Sequence, residues 1–282
     1  MSSPTPEPSP LPPVGLTGLG VAALRAAETA RPDRLFADHY AAIFVRAAGR
    51  GDRLAEAMTD ARPIAAWVAV RTRFLDDVLG DAVADGARQV VMLGAGLCAR
   101  AFRLDWPEGT RVWELDFPDV LGFKERVIAD EGWHAPCACR PVPVDLSDDW
   151  GSRLLGAGFD RTAPVVWIAE GLLAYLTDDV RDGLIGGAAQ LSVRGSRFGL
   201  TLADGDRLTQ WRATHPDGPT QPRDYVALWQ SDTPDDASSW LGALGWSARF
   251  FHAAERSADY GRAPVEGALD SSGPRLVDAV RL

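Results

Sequence analysis

Along most of the chain, short apolar runs alternate with segments whose apolar residues recur at helical spacing. The runs at Gln89–Leu93 (QVVML), residues 111–115 (RVWEL), residues 141–144, Val165–Ala169 (VVWIA), residues 198–202 and residues 245–251 are predicted strands. Helix-period segments follow the first from Cys98 and the second from about Pro118. Strands alternating with helices predict an α/β fold, a parallel sheet with helices on both faces. Ahead of the first strand, residues 20–79 read as helical, with breaks near Arg31-Pro32 and Arg62-Pro63. Residues 1–15 hold six of the twenty prolines and predict an extended, disordered tail. Residues 204–237 are polar, with several Pro and Trp residues, and read as a lid-like insertion. The predicted organisation is a single domain over residues 16–282 with an N-terminal helical cap at 16–85.

Composition narrows the function. A formal net charge of −10 without any Lys/Arg run argues against nucleic acid and anionic membrane as partners. No apolar run approaches the roughly 20 residues of a membrane span, and no secretory leader pattern opens the chain, so a cytoplasmic protein is expected. Three cysteines, Cys98, Cys137 and Cys139, are too few for a disulfide framework or a four-ligand zinc site, and no metal is expected.

The first predicted strand runs into Leu93-Gly94-Ala95-Gly96-Leu97-Cys98-Ala99, which fits G-x-G-x-x-G/A. Without side chains, Gly94 and Gly96 let the backbone touch a cofactor while the turn feeds a helix N-terminus. Asp116 follows the second strand, 22 residues after Gly94, where an acid accepts hydrogen bonds from ribose hydroxyls. Strand alternation puts Glu114 on the same face as Asp116, so the two compete for that role, and either could instead cap the next helix. The fingerprint serves dinucleotides and S-adenosylmethionine alike. Some 90 residues precede it here, and Asp145 after the third strand stands where an adenine amino group would lie, which tilts the reading to the methyl donor.

Two charges fall on apolar faces. Arg71 sits among Ile64, Trp67, Val68, Phe74, Leu75 and Val78 of one helical stripe, whereas Arg73 falls off it. A guanidinium there needs a partner: an internal acid, or the carboxylate of a ligand. Lys124, the only lysine among 29 basic residues, lies within the stripe Val120, Leu121, Val127 and Ile128, and either snorkels to solvent or reaches the cofactor side.

These residues resemble the leucine carboxyl methyltransferase-like family of class I S-adenosylmethionine-dependent methyltransferases, in particular actinobacterial natural-product O-methyltransferases. The similarity lies in residues 20–40 (GVAALRAAETARPDRLFADHY), 69–77 (AVRTRFLDD), 91–104 (VMLGAGLCARAFRL), 112–127 (VWELDFPDVLGFKERV), 143–150 (PVDLSDDW) and 167–176 (WIAEGLLAYL). Gly245-Trp246 and Tyr260-Gly261-Arg262 continue it. The resemblance implies a Rossmann-like fold, a seven-stranded sheet whose last strand is antiparallel, closed over by the N-terminal helices. It implies that Arg71 binds the methionine carboxylate, Gly94 belongs to the cofactor loop, Asp116 holds the ribose, Asp145 and Leu146 meet the adenine, and Glu170 lies near the amino-acid part. Two departures stand out: Cys98-Ala99 where the family reads Asp-Thr, and His39 where it reads Pro, placing an imidazole at the lid or near the acceptor.

The implied reaction is methyl transfer to a small-molecule acceptor. None of His39, His134, His215 and His252 stands in a pattern that marks a general base. That favours a carboxylate, which needs no deprotonation, over a phenol; Trp211, Tyr225 and Trp229 in the lid would suit a flat aromatic body. A nicotinamide-dependent oxidoreductase and a non-catalytic cofactor-binding scaffold are the alternatives from other classes.

Overall fold

The computed structural model describes residues 13–49, 62–203, 205, 207–216, 225–262 and 275–282. Residues 1–12 of the expected tail, and 50–61 of the helical region, lie outside the described residues. The elements run α1 (Pro13–Thr29), α2 (His39–Ala47), α3 (Arg62–Ala84), β1 (Gln89–Leu93), α4 (Arg100–Arg103), β2 (Arg111–Asp116), α5 (Pro118–Asp130), β3 (Ala138–Pro143), α6 (Trp150–Gly156) and β4 (Val165–Ala169). They continue with α7 (Asp178–Gln190), β5 (Arg197–Leu202), α8 (Arg207–Thr214), α9 (Ala237–Ala243), β6 (Trp246–His252), α10 (Ala253–Asp259) and β7 (Arg275–Arg281). Short 3-10 turns occupy Leu173–Tyr175 and Tyr225–Leu228.

The seven strands form one sheet in the order β3-β2-β1-β4-β5-β7-β6. β1 pairs in parallel with both β2 and β4, and β7 pairs antiparallel with β5 and β6, so the last strand alone is reversed. β1 and β4 are buried at every residue, as strands covered on both faces must be. Alternate side chains serve two cores. Val91, Leu93, Trp113, Leu115 and Trp167 pack with Trp150 and Leu154 of α6 and Leu184 and Ile185 of α7. Val90, Met92, Val112 and Ile168 meet Val70, Phe74, Leu75 and Val78 of α3 on the other face. A third cluster joins Leu19 and Ala22 of α1, Phe44 of α2 and Val120, Phe123 and Val127 of α5.

The structure corrects three expectations. The tail ends earlier: Pro13 opens α1, since proline lacks only a donor that the first helical turn leaves unused, and Gly15 is buried. The helical cap divides, α1 and α2 roofing α5 while α3 is a layer of the sheet core. β3 begins three residues before the expected 141, at Ala138. It is an edge strand whose prolines, Pro141 and Pro143, cost no second ladder, so its exposed, non-alternating pattern hid it.

Candidate functional site

Because β1, β2, β3 and β4 are parallel, their carboxyl ends share one edge, and the strand order reverses between β1 and β4. That is where open α/β sheets hold ligands. A cleft of about 430 Å³ lies there, bordered by the loop after each of these strands and roofed by α1.

The loop after β1 forms its floor. Gly94 has φ +63°, a left-handed conformation that calls for glycine, and a Cβ there would also push against the Leu172 side chain, 2.8 Å from Cδ1. The Gly96 N–H donates to Asp116 Oδ2 at 2.6 Å, while the Phe117 N–H donates to Oδ1 at 2.7 Å. Burial pushes the Asp116 carboxyl above its usual range against these two hydrogen bonds. Asp116 borders the cleft and Glu114 does not: two residues deeper in β2, Glu114 is 3% exposed and pairs with Lys124 Nζ at 2.7 Å. Lys124 therefore neither snorkels nor reaches the cleft. At 1% exposure it also donates to the Cys98 carbonyl, pinning the glycine loop to α5.

Asp145 and Leu146 border the far end, with Asp145 Oδ1 accepting from the Ser147 N–H at 2.9 Å and Oγ at 2.8 Å. At the near end Arg71 and Glu170 meet, Nε to Oε1 at 3.0 Å, and Arg100 Nη1 reaches Glu170 Oε2 at 2.5 Å. Burial opposes ionisation of Glu170, but Arg100, Arg71 and Arg25 outweigh it and hold the carboxyl well below the usual range. All seven residues singled out from the sequence border this one cleft.

Some lining residues were missed. Arg25 on α1 donates to Asp38 Oδ2 at 2.9 Å and to the Leu97 carbonyl at 2.7 Å, tying roof to floor. Its only sequence signal is a polar residue on an apolar helix. Gln230 borders the cleft from the expected lid, its Nε2 donating to the Tyr175 carbonyl at 2.6 Å. The lid tryptophans do not: Trp211 stacks on His215, ring centroids 4.8 Å apart, and Trp229 lies outside the lining. The Tyr225 side chain lies outside the described residues. His39 is exposed in the first turn of α2, and none of the four histidines borders the cleft. Ala99 stands at the N-cap of α4 without a side-chain hydrogen bond, the structural consequence of the departure there.

A seven-stranded mixed sheet in this order, its last strand alone reversed and a cleft at its reversal point, is the class I methyltransferase fold. The family model for leucine carboxyl methyltransferase matches residues 18–189, and the chain belongs to that family. A Frankia alni protein, named provisionally as an S-adenosyl-L-methionine-dependent methyltransferase, is 43% identical over 276 residues, covering 95% of each chain. A Streptomyces coelicolor protein with the same provisional name is 40% identical over 283 residues, again 95% of each chain. Among solved structures, a Thermobifida fusca protein with a provisional methyltransferase title has the same fold, with TM-score 0.53 and 17% identity over 92% of this chain and 94% of its own. The protein is an S-adenosylmethionine-dependent methyltransferase, not a nicotinamide-dependent oxidoreductase. Among the described residues no helix is long and apolar enough to cross a membrane.

Asp116→Ala is expected to weaken S-adenosylmethionine binding by about 1–3 kcal/mol, the loss of charge-assisted hydrogen bonds. Calorimetry on the folded variant checks it. Unchanged affinity would remove Asp116 from the site.

Proposed function

We propose that the protein transfers a methyl group to a carboxylate of a small natural-product acid of polyketide type, giving a methyl ester. S-adenosylmethionine supplies an electrophilic methyl on a sulfonium leaving group. Gly94 and Gly96 would lie under it, Asp116 on its ribose, Asp145 and Leu146 at its adenine. The residues fit this cofactor by charge. Around the near end stand four cations, Arg25, Arg71, Arg100 and Arg103, and three anions, Asp38, Asp76 and Glu170. Asp38 answers Arg25, Asp76 answers Arg103 and Glu170 answers Arg100, so the surplus positive charge rests on Arg71, which gives Glu170 its Nε alone. A ligand carboxylate on the Arg71 fork would complete the count.

One observation carries the acceptor assignment. Among the described residues no histidine borders the cleft, and its carboxylates, Asp116, Glu170 and Asp145, already accept hydrogen bonds from protein donors, which supports an acceptor that needs no general base. A phenol, with a pKa near 10, would need such a base, whereas a carboxylate is ionised at neutral pH. The lining includes Leu172, Leu176 and Val180 after β4 and Val21 of α1, apolar side chains that would suit an apolar body. Holding that body in line with the methyl and the sulfur, away from water, is the protein's main contribution to rate.

With the labelled cofactor and a panel of aromatic and aliphatic acids, the methylated product is expected to release methanol in mild alkali. The rate is expected to stay nearly flat from about pH 6 to 8, above ordinary carboxyl pKa values. Label that survives alkali, or a rate that climbs with pH, would assign a phenolic acceptor instead.

A further inference from the structure

Glu170 is faced by charged and polar groups from three elements. Arg71 and Thr72 on α3 both reach Oε1, at 3.0 and 3.3 Å. Arg100 at the start of α4 reaches Oε2, and Arg25 on α1 adds its field from the roof. The two arginines in direct contact are committed very differently. Arg100 is 2% exposed and spends all three nitrogens on the protein: Nη1 on Glu170, Nε on Asp76 Oδ1 at 2.7 Å, and Nη2 on the Thr72 carbonyl at 3.2 Å. Its Nη1 also lies 3.5 Å from Cys98 Sγ, and Asp76 is shared with Arg103 at 2.7 Å. Arg71 spends only Nε; among the described residues no hydrogen bond takes its Nη atoms, which lie 3.0 and 3.3 Å from where a Gly171 Cβ would stand, and both residues border the cleft.

We propose that Arg100 is a positioning residue of the cofactor site: clamped by Asp76 and Thr72, it fixes Glu170 as the carboxylate that orients Arg71 and leaves the Arg71 fork open to the carboxylate of S-adenosylmethionine. This rests on the reading that Arg71 meets that end of the cofactor. The reason is electrostatic. A ligand carboxylate docking on Arg71 places a second negative charge beside Glu170 and draws on the cation they share. In a buried site Glu170 would then take up a proton and release its hold on Arg71. A second cation bound to the other oxygen, and itself immobile, prevents this.

The test uses S-adenosylhomocysteine as probe, with calorimetry between pH 6 and 8 in buffers of different ionisation enthalpy. In the unaltered protein, binding is expected without proton uptake at Glu170. In Arg100→Gln, binding is expected to take up a proton, so that affinity falls as pH rises by up to about tenfold per pH unit, the limit for one linked proton. Adding Glu170→Gln to that variant should abolish the pH dependence. Arg100→Lys keeps the charge without the three-way grip and is expected to bind several-fold more weakly with no proton uptake. An Arg100→Gln variant whose pH profile parallels that of the unaltered protein would overturn the proposal. So would an Arg100→Lys variant of unchanged affinity, and that result stands even if Arg100→Gln fails to fold. If instead Arg71→Leu leaves the affinity intact, it is the assignment of Arg71 that fails.

Discussion

Lys124→Met is expected to lower the free energy of unfolding by about 3–5 kcal/mol, the cost of stripping one partner from a buried ion pair. Glu114 is 3% exposed, its Oε1 has no hydrogen-bond partner among the described residues, and its Oε2 is held by Lys124 Nζ alone. Methionine fills the stem's volume but leaves that carboxylate bare beneath the glycine loop, and also orphans the Cys98 carbonyl. Urea titration reads the loss. The double variant Lys124→Met, Glu114→Leu is expected to recover most of it, because a pair of apolar side chains has no charge to desolvate. Burial pulls the lysine down, yet Glu114 outweighs it and holds Lys124 above its ordinary value. A group raised on folding contributes its stability below the unfolded pKa and loses it only as pH rises through the folded one. The effect of the single variant should therefore be constant from pH 6 to 8. A loss under about 1 kcal/mol, typical of an exposed pair, would mean that water reaches it.

What the sequence made legible follows from how each element is buried. Gln89 apart, β1 and β4 are continuous apolar runs and their predicted bounds match the observed ones, because strands in the middle of a parallel sheet need no polar face. β7 carried no such signature. Asp278 interrupts it, yet that residue is 2% exposed and bonded to Arg197 and Arg249 from the neighbouring strands β5 and β6. A charge neutralised by residues 81 and 29 positions away reads locally as a break; the seventh strand came from the family likeness alone. The choice between Asp116 and Glu114 was beyond alternation, which gives both one face. Depth separates them: Asp116 at the end of β2 meets the glycine loop at the Gly96 N–H and borders the cleft, whereas Glu114, two residues deeper, is paired with Lys124. The fate of Lys124 was hidden for the same reason. Arg25 and Gln230 enter the cleft through contacts spanning 72 and 55 residues, for which no local spacing exists.

Arg71→Leu is expected to weaken S-adenosylmethionine binding tenfold to a hundredfold, about 1.5–3 kcal/mol for a charge-assisted pair, while lowering apo stability by no more than about 1–2 kcal/mol. From its apolar stripe alone, two outcomes were open for the apo protein. A guanidinium kept only for a ligand would leave the leucine variant as stable or more so, and one paired to an internal acid would leave it badly destabilised. The structure gives neither limit. Arg71 does pair with an internal acid, but Glu170 keeps Arg100 on its other oxygen, so its charge is not left bare when Arg71 goes. The leucine regains apolar contact beside Trp67 and Val68, which offsets part of the lost pair. Gly171→Ala acts on the same group: its Cβ would stand 3.0 Å from Arg71 Nη1, at a position with φ +61°. That variant should displace the fork and weaken cofactor binding in the same direction with Arg71 still present. Calorimetry for affinity and denaturant titration for stability separate the two effects. A collapse of apo stability by 3–5 kcal/mol in Arg71→Leu would show that Arg100 alone does not sustain Glu170, and that Arg71 is kept as much for the fold as for the ligand.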